Sequence, residues 1–189
     1  FPTLNLIYAV NERQNLRFSY ARTTARPSFK EASYAEILDP VTGRTFIGGF
    51  FPDEDRANGI TVWDGNLTPT YINNLDLRWE IFRDRGQTYS IGGFYKSFID
   101  PIEIVQYAVI QNSFQPRNVG SGQVLGLEFE FRQHFISGVN HQASFVGNVT
   151  VVDSQIEMSD TEFNSKVANA REGQTIDRNR DMAGQAPYI

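Results

Sequence analysis

Residues 75–81 read Leu-Asp-Leu-Arg-Trp-Glu-Ile, and this stretch decides the fold class. Leu75, Leu77, Trp79 and Ile81 alternate with Asp76, Arg78 and Glu80. A period of two sends the two sets to opposite faces of a β-strand, and a helix would scatter both sets around its axis. Residues 125–132, Leu-Gly-Leu-Glu-Phe-Glu-Phe-Arg, repeat the pattern: Leu125, Leu127, Phe129 and Phe131 oppose Gly126, Glu128, Glu130 and Arg132. Each strand therefore has one apolar face and one that is mostly charged.

Working outward, the same alternation marks strands at residues 3–10, 15–25, 69–82, 88–98, 123–135 and 141–152, with a further strand starting at 186–189. Ile7 breaks the pattern of the first. Short polar turns at 11–14, 83–86 and 136–140 alternate with long connections at 26–67, 99–122 and 157–184. An irregular loop of such length is uncommon in a compact domain. A soluble sandwich spaces its strands more evenly, with turn signals about every 8–12 residues. Tight turns at one rim and long loops at the other fit an antiparallel up-and-down transmembrane β-barrel, apolar outward and polar toward a hydrated lumen. The expected fold class is all-β, with about seven strands of a larger barrel. A soluble or surface-exposed β-sandwich, serving as a binding or adhesin module, is the alternative. Alternation does not by itself say which face is inside.

Composition agrees with either. The 189 residues are 40% hydrophobic and 13% aromatic, with 15 Phe and 8 Tyr. Mean hydropathy is −0.38. No apolar run is long enough for a membrane helix, and barrel strands score weakly on hydropathy. The net charge is −5, with both signs mixed and no basic stripe, which argues against nucleic acid. Cysteine is absent, so disulfides and thiolate metal sites are excluded.

Catalytic constellations are missing from the pattern, so an enzyme is not expected. The two histidines, His134 and His141, flank one short turn and make no metal-binding motif. Asp53, Glu54 and Asp55 could offer oxygen ligands to a hard cation, but they lack the order of a calcium loop and read as a solvated loop. No metal or cofactor is expected. Phe46, Phe50, Phe51 and Trp63 share the first long loop with Arg56 and Asp64. They either grip a ligand or partner or pack the loop on itself. Outside contacts are expected from Phe50, Phe51, Asp53, Asp55 and Trp63, with Tyr107 and Phe114 from the second loop. Asp76, Arg78, Glu80, Glu128, Glu130 and Arg132 are expected to face the lumen, where cross-strand pairing is the simpler reading. Gly92-Gly93 inside a strand marks a bend or a close approach.

Five segments carry a family resemblance. Residues 16–31, LRFSYARTTARPSFKE, resemble the "LR-x-S-Y" strand of TonB-dependent outer-membrane receptors running into its "ARP-x-F" loop. Residues 64–77, DGNLTPTYINNLDL, are similar to that family's "GNP-x-L-x-PT…N-x-DL" segment, with Leu67 where the usual proline stands. Residues 92–101 (GGFYKSFIDP), 120–131 (GSGQVLGLEFEF) and 182–189 (MAGQAPYI) resemble later strands in the family's order, the last in its Bacteroidetes-type members. The resemblance implies a barrel of about 22 strands around an N-terminal plug, of which this chain covers about a third. It implies a Gram-negative outer membrane and energised uptake of a scarce bulky nutrient, such as a ferric siderophore or a glycan. Implied partners are membrane lipid, the plug of the same parent chain, a TonB-type periplasmic protein acting through the plug, and a surface lipoprotein lid. The two outermost segments, 1–10 and 186–189, are expected to be open strand edges that drive association in water.

Overall fold

The computed structural model describes residues 1–57, 59–107, 109–137, 141–160, 163, 164, 167, 170, 171 and 173–182. Its main element is one seven-stranded antiparallel sheet. In chain order its strands are β1 (Thr3–Asn11), β2 (Gln14–Ala25), β7 (Thr70–Arg83), β8 (Gln87–Ile99), β11 (Ser121–Ser137), β12 (Gln142–Glu157) and β13 (Asn179–Arg180). Strands that follow one another along the chain are also neighbours in the sheet. Such hairpin-by-hairpin succession is how a barrel wall is laid down.

Register lines the side chains up into rows. On one face, Leu4, Tyr20, Leu75, Tyr95 and Leu125 form a row. Leu6, Phe18, Leu77, Gly93, Leu127 and Val151 form the next. Tyr8, Leu16, Trp79, Ile91, Phe129 and Val149 follow, then Ile81, Tyr89 and Phe131. Four rows cover about 20 Å along the strands, the scale of the apolar band of a membrane barrel. These side chains are left uncovered: Leu127 is 50% exposed and Leu125 57%. Among the described residues no second sheet packs on them, so the sandwich alternative is set aside. Where the belt ends toward the long loops, Asn73, Ser97, Gln123 and Gln155 form a polar row. Tyr20 and Tyr95 donate hydroxyls to Asn73 and Gln123.

The opposite face is polar over most of its height. Its rows include Arg17, Arg78, Gly92, Glu128 and Thr150, and Asn15, Glu80, Ser90, Glu130 and Asn148. Ile7, off pattern in the sequence, joins the first of these rows opposite Arg17.

The first two long connections are not irregular, which corrects the sequence reading. The first holds β3 (Glu36–Asp39), β4 (Arg44–Ile47), β5 (Asp53–Asp55) and β6 (Ile60–Trp63), and the second holds β9 (Ile102–Gln106) and β10 (Ser113–Asn118). β3, β4, β10 and β9 make a four-stranded sheet, in which β4 and β10 run parallel and join the two loops. Strands of three to six residues are too short for alternation to register in the sequence, and their partners are distant along the chain. The third connection, read as a loop, contributes β13, which pairs with the end of β12. The strand expected at 186–189 lies outside the described residues.

The buried core sits at this loop end. Ile47, Leu67, Tyr107 and Val119 come from the two loops, and Val124, Val152 and Ile156 from β11 and β12. The last three share the parity of Glu128 and Glu130, so the loops cover the end of the polar face, where the wall turns apolar.

Candidate functional site

Two features are built with enough order to serve a function: the joined loops and the charged wall below them. Gln115 is the centre of the first. It is wholly buried, and its Nε2 donates to the carbonyls of Gly48 (3.0 Å) and Phe51 (2.7 Å). Its Oε1 accepts from Arg117 Nε at 2.7 Å, and the Arg117 guanidinium pairs with the fully buried Asp53. A buried charge is tolerated when paired and hydrogen-bonded, as it is here. Tyr107 donates its hydroxyl to Pro52 O at 2.9 Å, and Trp63 Nε1 donates to Gly49 O at 2.7 Å. Burial, then the nearby Asp53 carboxylate, raises the Tyr107 hydroxyl above its ordinary pKa, so it stays a donor. Asn118 fastens the loop bases: its Oδ1 accepts from Thr68 N, and its Nδ2 donates to the carbonyls of Thr68 and Asp100. Glu103 of β9 pairs with Arg180 of β13, which ties in the third connection.

The expected contact residues divide between the inside of this loop body and its surface. Asp53, expected to face outward with Asp55, is inside the loop body, because Arg117 supplies the charge that lets it stay there. Tyr107 is buried as well. Phe50 and Phe51 are half-buried and each lies 5.5 Å from the Tyr34 ring. Trp63 and Asp55 are half-buried on the β5–β6 hairpin. Phe114 lies under the Arg44 guanidinium, 5.5 Å from its ring centre. The loop aromatics pack against other loop residues, and this packing leaves Phe50, Phe51 and Trp63 half-buried. Gln115, Arg117 and Asn118 carry the joint and have no sequence signal, since polar residues around Pro116 look like any loop.

The charged wall gathers most of the residues expected to face the lumen. Arg78 Nη2 lies 2.8 Å from Glu128 and Nη1 3.6 Å from Glu130. Arg17 Nε lies 2.5 Å from Glu80. Arg78 and Glu128 stand on strands that are not neighbours: β8 runs between them, with Gly92 in the row. The missing side chain at Gly92 opens the path, since its β-carbon position is already 3.6 Å from Arg78 Nε. Asp76 lies one row toward the loops, opposite Ser19 and Phe94, and Arg132 lies toward the short turns, opposite Thr88 and Val146. His134 is half-buried at the short-turn end and His141 is exposed there. Among the described residues, no group of three or more His, Cys, Asp or Glu could hold a metal ion.

A single wall with one uncovered apolar face, one ion-paired polar face and folded loops at one rim defines a segment of a large membrane β-barrel. The family model described as "TonB dependent receptor-like, beta-barrel" matches residues 1–188, and the chain belongs to that family. Its fold is similar to a solved structure, the siderophore receptor PirA from Pseudomonas aeruginosa, with a TM-score of 0.57 and 18% identity. That match covers 84% of this chain and 28% of PirA, so the chain spans under a third of that receptor's length. No curated protein sequence matches the chain.

Proposed function

We propose that the chain is a wall and loop segment of an outer-membrane receptor for energised uptake of a scarce bulky nutrient, a ferric siderophore, a glycan or a similar compound. The observation that carries the reading is the pairing of a four-row uncovered apolar belt with an ion-paired opposite face, under loops that are elaborate at one rim only. In such a receptor the belt meets membrane lipid and the polar face meets the plug of the parent chain, on which a TonB-type periplasmic protein pulls. Family membership supports a receptor over an enzyme.

The loops act as a preformed outer platform. Asp53 and Tyr107 serve as its internal framework, while Phe50, Phe51, Asp55, Trp63 and Phe114 keep part of their surface for an outside ligand or a lipoprotein lid. Asp76, Arg78, Glu80, Glu128, Glu130 and Arg132 form the plug-facing wall. An antibody to this segment tests the reading. A heat-modifiable outer-membrane band several times heavier than 21.5 kDa is expected. A soluble band near 21.5 kDa overturns it.

A further inference from the structure

The geometry points to a binding site for the phosphate headgroup of an anionic phospholipid at the short-turn rim of the wall, between the β1–β2 and β7–β8 turns. The inference rests on the barrel reading above, in which this rim borders the periplasmic leaflet. β2 and β7 are neighbours, so their turns lie side by side, and Phe82 N donates to Arg13 O across the gap at 2.7 Å. Between them opens a cleft of about 540 Å³, lined by Arg13, Arg83 and Arg85, by Asp84, and by Ile81 and Phe82.

Three features of the cleft suit that headgroup. The first is charge. Three arginines converge from two turns, against Asp84 and the neighbouring Glu12, and the whole rim cluster stays cationic. Arg13 spends part of its guanidinium on Asp84 at 3.2 Å, while Arg83 and Arg85 remain exposed. Arginine presents a planar fork of donors that matches phosphate oxygens. The second is position. Arg83 follows Trp79 and Ile81 on the same face of β7, so it stands at the margin of the apolar belt. Its guanidinium carbon is 5.8 Å from the Tyr89 ring centre, where the apolar stem lies along the belt and the charge reaches the headgroup level. The third is continuity. Ile81 carries the belt to the cleft, which gives acyl chains a surface beside the phosphate, while Phe82 lines the cleft from the opposite face of β7. The other margin of the belt ends in a row of Arg22, Asn73, Ser97, Gln123 and Gln155, one cation among neutral side chains, whereas three arginines gather at this rim.

The test uses the full-length parent receptor, purified in neutral detergent and titrated with dioleoyl phosphatidylglycerol or dioleoyl phosphatidylethanolamine while bound lipid is counted by native mass spectrometry. Wild type is expected to retain phosphatidylglycerol preferentially. Arg83→Gln and Arg85→Gln should each weaken that retention about fivefold, with phosphatidylethanolamine unchanged. Arg56→Gln, an exposed change in the opposite loops, should leave the preference intact. Equal retention of both lipids by wild type, or an undiminished preference in the Arg83→Gln/Arg85→Gln double variant, overturns the site. Heat modifiability of every variant on gels separates the two readings. A folded outer-membrane barrel without lipid preference removes only this site, whereas a parent chain with no heat-modifiable form removes the barrel reading and the site together.

Discussion

Arg117 and Gly92 show how single residues set the two candidate surfaces. Arg117 neutralises a carboxylate that no solvent reaches and anchors the side chain of Gln115. Removing it as Arg117→Ala leaves Asp53 charged and buried, which costs about 3–5 kcal/mol. The expected result is loss of amide-exchange protection over residues 45–53 and 113–118, with the wall strands unaffected. Gly92 acts by what it lacks. Gly92→Leu places a branched side chain in the path between Arg78 and Glu128. A double-mutant cycle on those two residues should then fall from its wild-type coupling, about 0.2–1 kcal/mol for so exposed a pair, to near zero. Sequence reading marked Gly92-Gly93 as a bend or a close approach. It could not say of what, because Arg78 and Glu128 lie 50 residues apart and meet only through the register of three strands.

At the level of elements, the strands of the wall were plain in the sequence and those of the loops were not. β7 and β11 each carry their signal within their own length, since alternation is a local property of a half-buried strand. The assignment of faces makes a sharp test. Leu127→Arg, mid-belt on β11, should destabilise the barrel in detergent or lipid by about 2–4 kcal/mol. Thr150→Arg, on the polar face beside Glu128, should change stability by less than about 0.5 kcal/mol. Reversal of that order in urea titrations would invert the wall. The loop sheet has its own signature in pH. Tyr107 has a raised pKa in the folded protein, so its contribution is complete below the ordinary value of 10.0 and is lost as pH rises beyond it. Exchange protection of residues 102–106 and 113–118 should hold up to about pH 10 and decline above it. Tyr107→Phe should flatten that decline.

Taken whole, the chain exposes 12783 Å², against about 9,200 Å² for a compact soluble monomer of its mass. The excess is the two faces of an unclosed wall. Isolated in water, this segment should associate through the belt and the free edge of β1, and light scattering should report oligomers or aggregates. Mild detergent should reduce them. A monodisperse detergent-free monomer would count heavily against the membrane wall.

Read alone, the sequence was enough for six of the seven wall strands, their opposite faces, the tight turns and the long-loop rim. All of these arise from neighbours two residues apart or from local turn chemistry, and they need no knowledge of distant contacts. The structure alone revealed that the first two long connections are one folded body. That body depends on Gln115 reaching Gly48, 67 residues away, and on a parallel pairing of β4 with β10 that no periodicity announces. It also revealed that the loops close over one end of the polar face, where Val124, Val152 and Ile156 are buried. A strand's alternation is symmetric under exchange of inside and outside, and that symmetry is broken only when another part of the chain packs against one face.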